Sequence, residues 1–347
     1  MGVDNGVSVE QAASSKNVDE DDRSLLEQRL SALFHESPCT FSGSTLEATS
    51  PVFSYLLRTY CGITEGFLRS GQEEVVRRIL RRESVLALFP TGWGKSLCYQ
   101  LPMLVHRLLN AFDKMKASGD CTQTEGKVAT PRDNRQRFAV VVSPLLALIS
   151  DQLSSIRRQD AVCAASISSM TGRDAEQKIF MSLANPSGND IDILLVSPEA
   201  FVTKQRLRTV LKETFDRIAF VCIDEAHCIS SWSHDFRPTY LYLQKSLEDL
   251  HRQAQQHQRQ RPQYGASNGD RAVMSAPPIL ALTATASASV IREVTQLLRI
   301  EHVVNRMTPR SNISLEAARL PSVATGGLGQ DRTKEMRSQL LSAVRTF

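Results

Sequence analysis

The stretch Phe89-Pro90-Thr91-Gly92-Trp93-Gly94-Lys95-Ser96 decides the fold because of what stands on either side of it. An apolar run over residues 84–89 leads into it, and a helical pattern begins at Leu97. A strand, a glycine-rich turn and a helix in this order build a phosphate cradle, since glycine lets backbone N–H groups point inward and the helix N-terminus adds partial positive charge. We expect Lys95 to reach the phosphates and the Ser96 hydroxyl to ligate Mg²⁺. The residues expected to bind nucleotide in this loop are Thr91, Gly92, Gly94, Lys95 and Ser96.

Short apolar runs alternate with longer amphipathic segments from about residue 50 onward. The runs cover 84–89, 138–143, 162–168, 191–197, 218–223 and 279–283. The amphipathic segments include 72–82, 145–158 and 287–298. Strands that alternate with helices form a parallel sheet with helices on both faces. The sequence therefore predicts an α/β fold.

Two neighbouring carboxylates, Asp224 and Glu225, follow the apolar run 218–223. Open α/β sheets place their chemistry at the carboxyl ends of the strands. Asp224 is expected to hold Mg²⁺, and Glu225 to orient or deprotonate the water that attacks a phosphoryl group. His227 could relay between the nucleotide and a second site. An acid pair alone more often caps a helix, so this prediction depends on its pairing with the Lys95 loop.

The pattern also divides the chain into segments. Residues 1–22 lack apolar periodicity and are expected to be a disordered tail, followed over 23–49 by a linker with a short helix. The lobe is expected to occupy 50–320, with polar surface insertions at 111–137 and 251–277. The second insertion is basic and could touch nucleic acid, although an inert loop is the favoured interpretation. Residues 321–347 are expected to begin a connection out of the lobe.

Composition narrows the class of protein. The chain has 347 residues, 41% hydrophobic and 22% charged, with a net charge of +4, which permits a nucleic-acid partner without demanding one. Its seven cysteines form no C-x-x-C pair, which argues against a disulfide framework or a cysteine-built zinc site. We expect a reducing compartment, cytosol or nucleus. No apolar run is long enough to span a bilayer, so no membrane association is expected.

Several motifs together resemble the RecQ family of DNA helicases over about residues 60–320. The T-G-x-G-K-S form of the loop is typical of superfamily 2 helicases, and Asp224-Glu225-Ala226-His227 resembles their DEAH motif. The stretch Gly94–Pro102 closely matches the family's extended phosphate loop. The residue before it, Trp93, departs from the family, which usually has a small residue there. Leu68-Arg69-Ser70-Gly71-Gln72 resembles the adenine-reading motif, which implies that Gln72 and Arg69 contact the base.

The same resemblance implies a DNA-binding face. The stretch 228–238 resembles the aromatic-rich loop of RecQ enzymes, which implies stacking of Trp232 and Phe236 on single-stranded bases, with His234 and Arg237 beside them. Two strand-to-helix turns and the Leu280–Ala286 stretch resemble motifs that contact the DNA backbone or link it to ATP hydrolysis. The residues implied in those motifs are Ser143, Pro144, Ser197, Thr283 and Thr285.

The resemblance implies one RecA-like motor lobe of an ATP- and Mg²⁺-dependent 3′-to-5′ DNA helicase in the nucleus, acting in repair, recombination or replication on single-stranded or junction DNA. Details such as Met170-Thr171 lean toward the Rothmund–Thomson branch. Such a motor needs a second lobe, which does not follow Ile313, so we expect the isolated chain to bind ATP weakly, hydrolyse it slowly and not unwind duplex. The alternatives are a catalytically idle nucleic-acid-binding fragment and a DExH RNA helicase.

Overall fold

A computed structural model describes residues 20–32, 50–117, 136–159, 161–185, 191–233, 237–260 and 275–307. The predicted tail to residue 19, the end of the lobe at 320 and the segment 321–347 lie outside these described residues.

The centre of the described fold is a sheet of seven parallel strands. The strands are β1 Val85–Leu88, β2 Phe138–Val142, β3 Ala164–Ile167, β4 Ile193–Val196, β5 Ile218–Ile223, β6 Ile279–Thr283 and β7 His302–Asn305. Their order across the sheet is β3-β4-β2-β5-β6-β1-β7. The inner strands are buried on both faces, as the continuous apolar runs predicted.

Helices cover both faces of this sheet. They are α1 Glu20–Ala32, α2 Pro51–Thr59, α3 Gln72–Leu80, α4 Leu97–Ala117, α5 Leu146–Gln159, α6 Arg173–Ala184, α7 Pro198–Thr203, α8 Gln205–Glu213, α9 Pro238–Gln260 and α10 Ala288–Leu298. Alternate strand residues enter two hydrophobic cores: Val85 and Ala87 pack with α1 to α5, whereas Leu86 and Leu88 pack with α6 to α10. The predicted α/β class, a parallel sheet with helices on both faces, is confirmed.

The structure differs from the predicted pattern at four places. Residues 20–22 of the predicted tail are the first residues of α1. Strand β7 was not predicted, because only Val304 of its four residues is buried and no apolar run marks it. Helix α4 continues to Ala117 and helix α9 to Gln260, so the first residues of both predicted insertions are helical. Their polar residues, Gln and Lys among them, are good helix formers. The remaining described insertion residues, 136–137 and 275–277, adopt no helix or strand.

The strand order gathers the chemical residues at one edge of the sheet. The loop with Lys95 follows β1, Asp224 follows β5, and Thr283 ends β6, which lies between those two strands. Since neighbouring strands are about 5 Å apart, the loop and the acid pair emerge about 10 Å apart. Within the described residues, no helix is both long and apolar enough to cross a membrane.

Candidate nucleotide and nucleic-acid site

The loop between β1 and α4 presents unused backbone donors at the start of a long helix. Gly92 and Gly94 have φ values of 76° and 79°, in the left-handed region that glycine adopts without strain. Among the described residues, no carbonyl accepts a hydrogen bond from the backbone N–H of Gly94, Lys95 or Ser96. Three adjacent free donors at a helix N-terminus form an anion cradle.

The segment from Arg69 to Gln72, the first residue of α3, contacts this loop from the side. Gln72 is 2% exposed; its Nε2 donates to the carbonyls of Trp93 at 2.9 Å and Gly94 at 3.0 Å, and its Oε1 accepts from the Arg69 N–H at 2.7 Å. The Arg69 guanidinium donates to the Gly92 carbonyl. Both side chains therefore contact the loop in this structure, and their contacts with a base stay a prediction.

The carboxylate of Asp224 is buried and accepts two hydrogen bonds. It is 6% exposed; its Oδ2 accepts from Gln152 Nε2 and its Oδ1 from the Glu225 N–H, both at 3.0 Å. Burial, followed by repulsion from Glu225, raises the pKa of Asp224 above its ordinary value, while the Gln152 amide and Lys95 partly oppose that rise. A cation beside Asp224 would favour its charged form.

Glu225 and His227 form an ion pair beside Asp224. The Glu225 backbone lies in the left-handed region at φ 49°, which is uncommon outside glycine and concentrates at functional sites. Its Oε2 lies 3.2 Å from His227 Nδ1, and this hydrogen bond lowers the pKa of Glu225. Hydrogen bonds to Cys228 and Glu225 raise the pKa of His227 to about 10. At neutral pH, Glu225 is charged and suited to orienting a water molecule.

Lys95 couples the phosphate loop to the acid pair. Its positive charge lowers the pKa of Asp224 and also that of Glu225. Lys95 follows β1 and the acid pair follows β5, and only β6 lies between these two strands. The structure therefore brings the predicted catalytic residues Lys95, Asp224, Glu225 and His227 to one edge.

Thr283 links the acid pair to the start of the loop. Its side chain is 1% exposed, and its Oγ1 lies 2.9 Å from His227 Nδ1. Its carbonyl accepts from the Phe89 N–H at 3.1 Å, at the residue where β1 enters the loop. Thr283 therefore faces the nucleotide side, whereas Thr285 is exposed.

Three residues predicted to contact DNA directly are buried. Ser143 is 0% exposed and Ser197 3% exposed, and Pro144 is also buried. The Ser197 hydroxyl instead accepts from the Ala200 N–H at 3.3 Å and caps α7. These side chains therefore lie inside the turns after β2 and β4, while Leu145 and Leu146 are exposed in the first turn. Contact of the two turns with the DNA backbone stays a prediction.

The first residues of the predicted aromatic loop are held by hydrogen bonds to neighbouring elements, and its tryptophan is exposed. Trp232 is 73% exposed, available for stacking. The two residues that precede Trp232 are bonded to Glu293 on α10, whose carboxylate accepts hydrogen bonds from the Ser230 hydroxyl and from the Ser231 N–H and hydroxyl. Arg237 donates to the Pro144 carbonyl at 2.7 Å, so its guanidinium ties this loop to the turn after β2. His234 and Phe236 lie outside the described residues.

The sequence did not single out Gln152 or Glu293 as functional candidates. Gln152 lies on α5 and reaches Asp224 from 72 residues away, and Glu293 reaches Ser231 from 62 residues away. Neither contact leaves a local signal. The one available hint is that Gln152 follows Asp151 within the stretch that resembles a family motif.

The donor set fits Mg²⁺ held together with a nucleotide. The described residues contain no cluster of three or more His, Cys, Asp or Glu that could hold a metal by itself. Mg²⁺ is usually bound through one or two carboxylates, waters and substrate phosphates. Asp224, together with the half-buried Ser96 hydroxyl, matches that mode.

The parallel sheet, with its loop and acid pair at one edge, has the architecture of a RecA-like nucleotide-binding lobe. The sequence matches the DEAD/DEAH box helicase family over residues 69–294. The chain therefore belongs to that family, and it is similar to several curated relatives that are ATP-dependent DNA helicases.

Those relatives include the probable ATP-dependent DNA helicase RecS of Bacillus subtilis, 30% identical over 71% of this chain and 38% of RecS. The ATP-dependent DNA helicase Q4 of Homo sapiens is 34% identical over 60% of this chain and 14% of its own length. The crystal structure of the DUF1998 helicase MrfA aligns with 75% of this chain and 33% of MrfA, at 17% identity and a TM-score of 0.47. The chain thus spans well under half the length of these relatives.

Proposed function

We propose that the chain is the ATP-binding first lobe of an ATP-driven 3′-to-5′ DNA helicase of the RecQ type. The observation that carries the proposal is the strand order, because the Lys95 loop follows β1 and the acid pair follows β5, with only β6 between those strands. Family membership and the names of the relatives support ATP use and a DNA substrate.

In this function, the loop between β1 and α4 binds the phosphates of the nucleotide. The free N–H groups of residues 94–96 and the N-terminus of α4 attract the phosphates, and Lys95 adds a full charge. Ser96 and Asp224 would hold Mg²⁺, which neutralises phosphate charge when bound. Glu225 is ionised and positions the attacking water, so its role is orientation more than proton removal.

In the same function, DNA binds the exposed residues at this edge of the sheet. Trp232 offers a stacking face, with Phe236 and His234 on the same loop, and Thr285 is exposed beside β6. Thr283 contacts both His227, which pairs with Glu225, and the exposed Thr285, and this chain of contacts suits it to transmit nucleotide state to DNA. The proposed substrate is single-stranded or junction DNA, and the proposed location is the nucleus. The proposed branch of the family is the Rothmund–Thomson branch, and the Q4 helicases of Homo sapiens and Mus musculus among the relatives support a eukaryotic type.

The test is ATP hydrolysis with and without single-stranded DNA, with single-stranded RNA as competitor. We expect slow hydrolysis that DNA stimulates and that Lys95→Ala removes. The control Lys114→Ala, which removes a charge near the C-terminal end of α4, should leave the hydrolysis rate unchanged. Absence of DNA stimulation together with an unaltered rate in Lys95→Ala would overturn the enzyme proposal. Preferential competition by RNA would point to an RNA helicase.

A further inference from the structure

Trp93 stands between the two glycines of the phosphate loop, and its ring is fixed in place. The Arg69 guanidinium carbon lies 5.3 Å from the centroid of the indole, a cation–π contact. The indole Nε1 donates to the Ser70 carbonyl at 3.4 Å, and the ring packs against the core beneath β1. A small residue at this position could make none of these contacts.

The same segment holds the backbone on either side of Trp93. Arg69 donates to the Gly92 carbonyl, and Gln72 donates to the carbonyls of Trp93 and Gly94. The Trp93 N–H is itself bonded to the Pro90 carbonyl at 3.1 Å. In this conformation the Trp93 amide is therefore turned into the loop, away from the free donors of residues 94–96.

We propose that Trp93 is an affinity-setting latch, a side chain whose contacts hold Arg69 against the phosphate loop and so oppose nucleotide binding. The inference rests on the proposed function, in which a nucleotide occupies this loop, and on the predicted contact of Arg69 with the base. Binding must then exchange the contacts of Arg69 with Trp93 and Gly92 for contacts with the nucleotide. The latch stabilises the free form, so it slows association and weakens affinity.

The size of the effect follows from the contacts that Trp93 makes. One cation–π contact and one long hydrogen bond, both near the surface, together correspond to about a tenfold change in an equilibrium constant. Because the proposal requires these contacts to break before the nucleotide is seated, their loss should appear mainly in the association rate. Trp93→Ser removes both contacts, whereas Trp93→Phe keeps an aromatic ring over Arg69 and is the matched control.

The test is stopped-flow binding of N-methylanthraniloyl-ADP with Mg²⁺ to the full chain and to these variants. We expect about tenfold faster association for Trp93→Ser, with dissociation within about threefold, and rates within about threefold of the parent for Trp93→Phe. Equal association rates for all three proteins, weaker binding by Trp93→Ser, or a gain seen only in dissociation would overturn the latch.

A second measurement leaves Trp93 in place. The chain has two tryptophans, so Trp232→Phe leaves Trp93 as the sole indole emitter. Addition of MgADP should shift its emission as Arg69 leaves the ring, and an unchanged spectrum at saturation would contradict the latch. Lys95→Ala separates the two proposals: if the parent binds and Lys95→Ala weakens binding but Trp93→Ser does not differ, only the latch fails. If no protein binds nucleotide, the proposed function fails with it.

Discussion

Replacing Thr283 by Val should uncouple the end of β6 from the acid pair at a measurable cost in stability. Valine keeps the branched shape that suits a strand but removes the hydroxyl. That hydroxyl lies 2.9 Å from buried His227 Nδ1, donates to the Thr285 carbonyl at 3.0 Å and accepts from the Thr285 N–H at 3.2 Å. Because Thr285 is exposed, water can replace its two bonds, and only the buried contact with His227 is lost outright.

The expected loss is therefore that of one buried hydrogen bond to a group that is largely protonated, about 1–2 kcal/mol in the free energy of unfolding. The estimate stays at this level because His227 retains Glu225 at 3.2 Å. The assay is urea unfolding at pH 7, with Thr285→Val as the control, which we expect to change the unfolding free energy by less than about 0.5 kcal/mol. The reasoning is refuted if the two variants are equally stable.

Three further predictions concern charge and exposure at the same edge. His227→Gln should remove a pH-dependent contribution: because the folded-state pKa of His227 is raised from 6.5 to about 10, the parent's advantage in unfolding free energy should be full below pH 6.5 and vanish as pH rises through about 10, and a pH-independent difference would contradict this. Glu293→Gln should weaken the anchor of Ser230 and reduce DNA stimulation of ATP hydrolysis severalfold without changing the DNA-free rate, which paired ATPase assays measure; a loss of both rates in parallel would indicate a general structural role. Trp232→Ala should leave the unfolding free energy within about 0.5 kcal/mol, since the side chain is exposed, yet lower affinity for single-stranded DNA by about 1–3 kcal/mol in fluorescence anisotropy, and unaltered affinity would remove Trp232 from the DNA face.

The strands that carry the site could be predicted because each is a continuous apolar run that ends in a distinctive polar group. Both cores enclose β1, β2 and β5, so burial on two faces made those runs unmistakable. Strand β7 had no such signal, since it lies at the sheet edge and pairs only with β1 among the described strands.

Which residues share the site was predictable, but which way their side chains face was not. The sequence placed Ser143 at a strand end, yet its hydroxyl is buried by packing that the local sequence does not encode. Likewise Gln72 has the expected position but contacts the loop carbonyls, because the left-handed turn at Gly94 brings the loop within reach. A Cβ at Gly94 would lie 3.1 Å from Gln72 Nε2, which ties that glycine to this contact.

The central claim is that Lys95 and the acid pair form one nucleotide–metal site, and titration calorimetry of ATP with and without Mg²⁺ tests it most directly. The account predicts that Lys95→Ala weakens MgATP binding by about tenfold or more, the loss of one charge-assisted contact. It also predicts that Asp224→Asn makes ATP affinity insensitive to Mg²⁺. Parent-like affinity and parent-like Mg²⁺ dependence in both variants would contradict the claim.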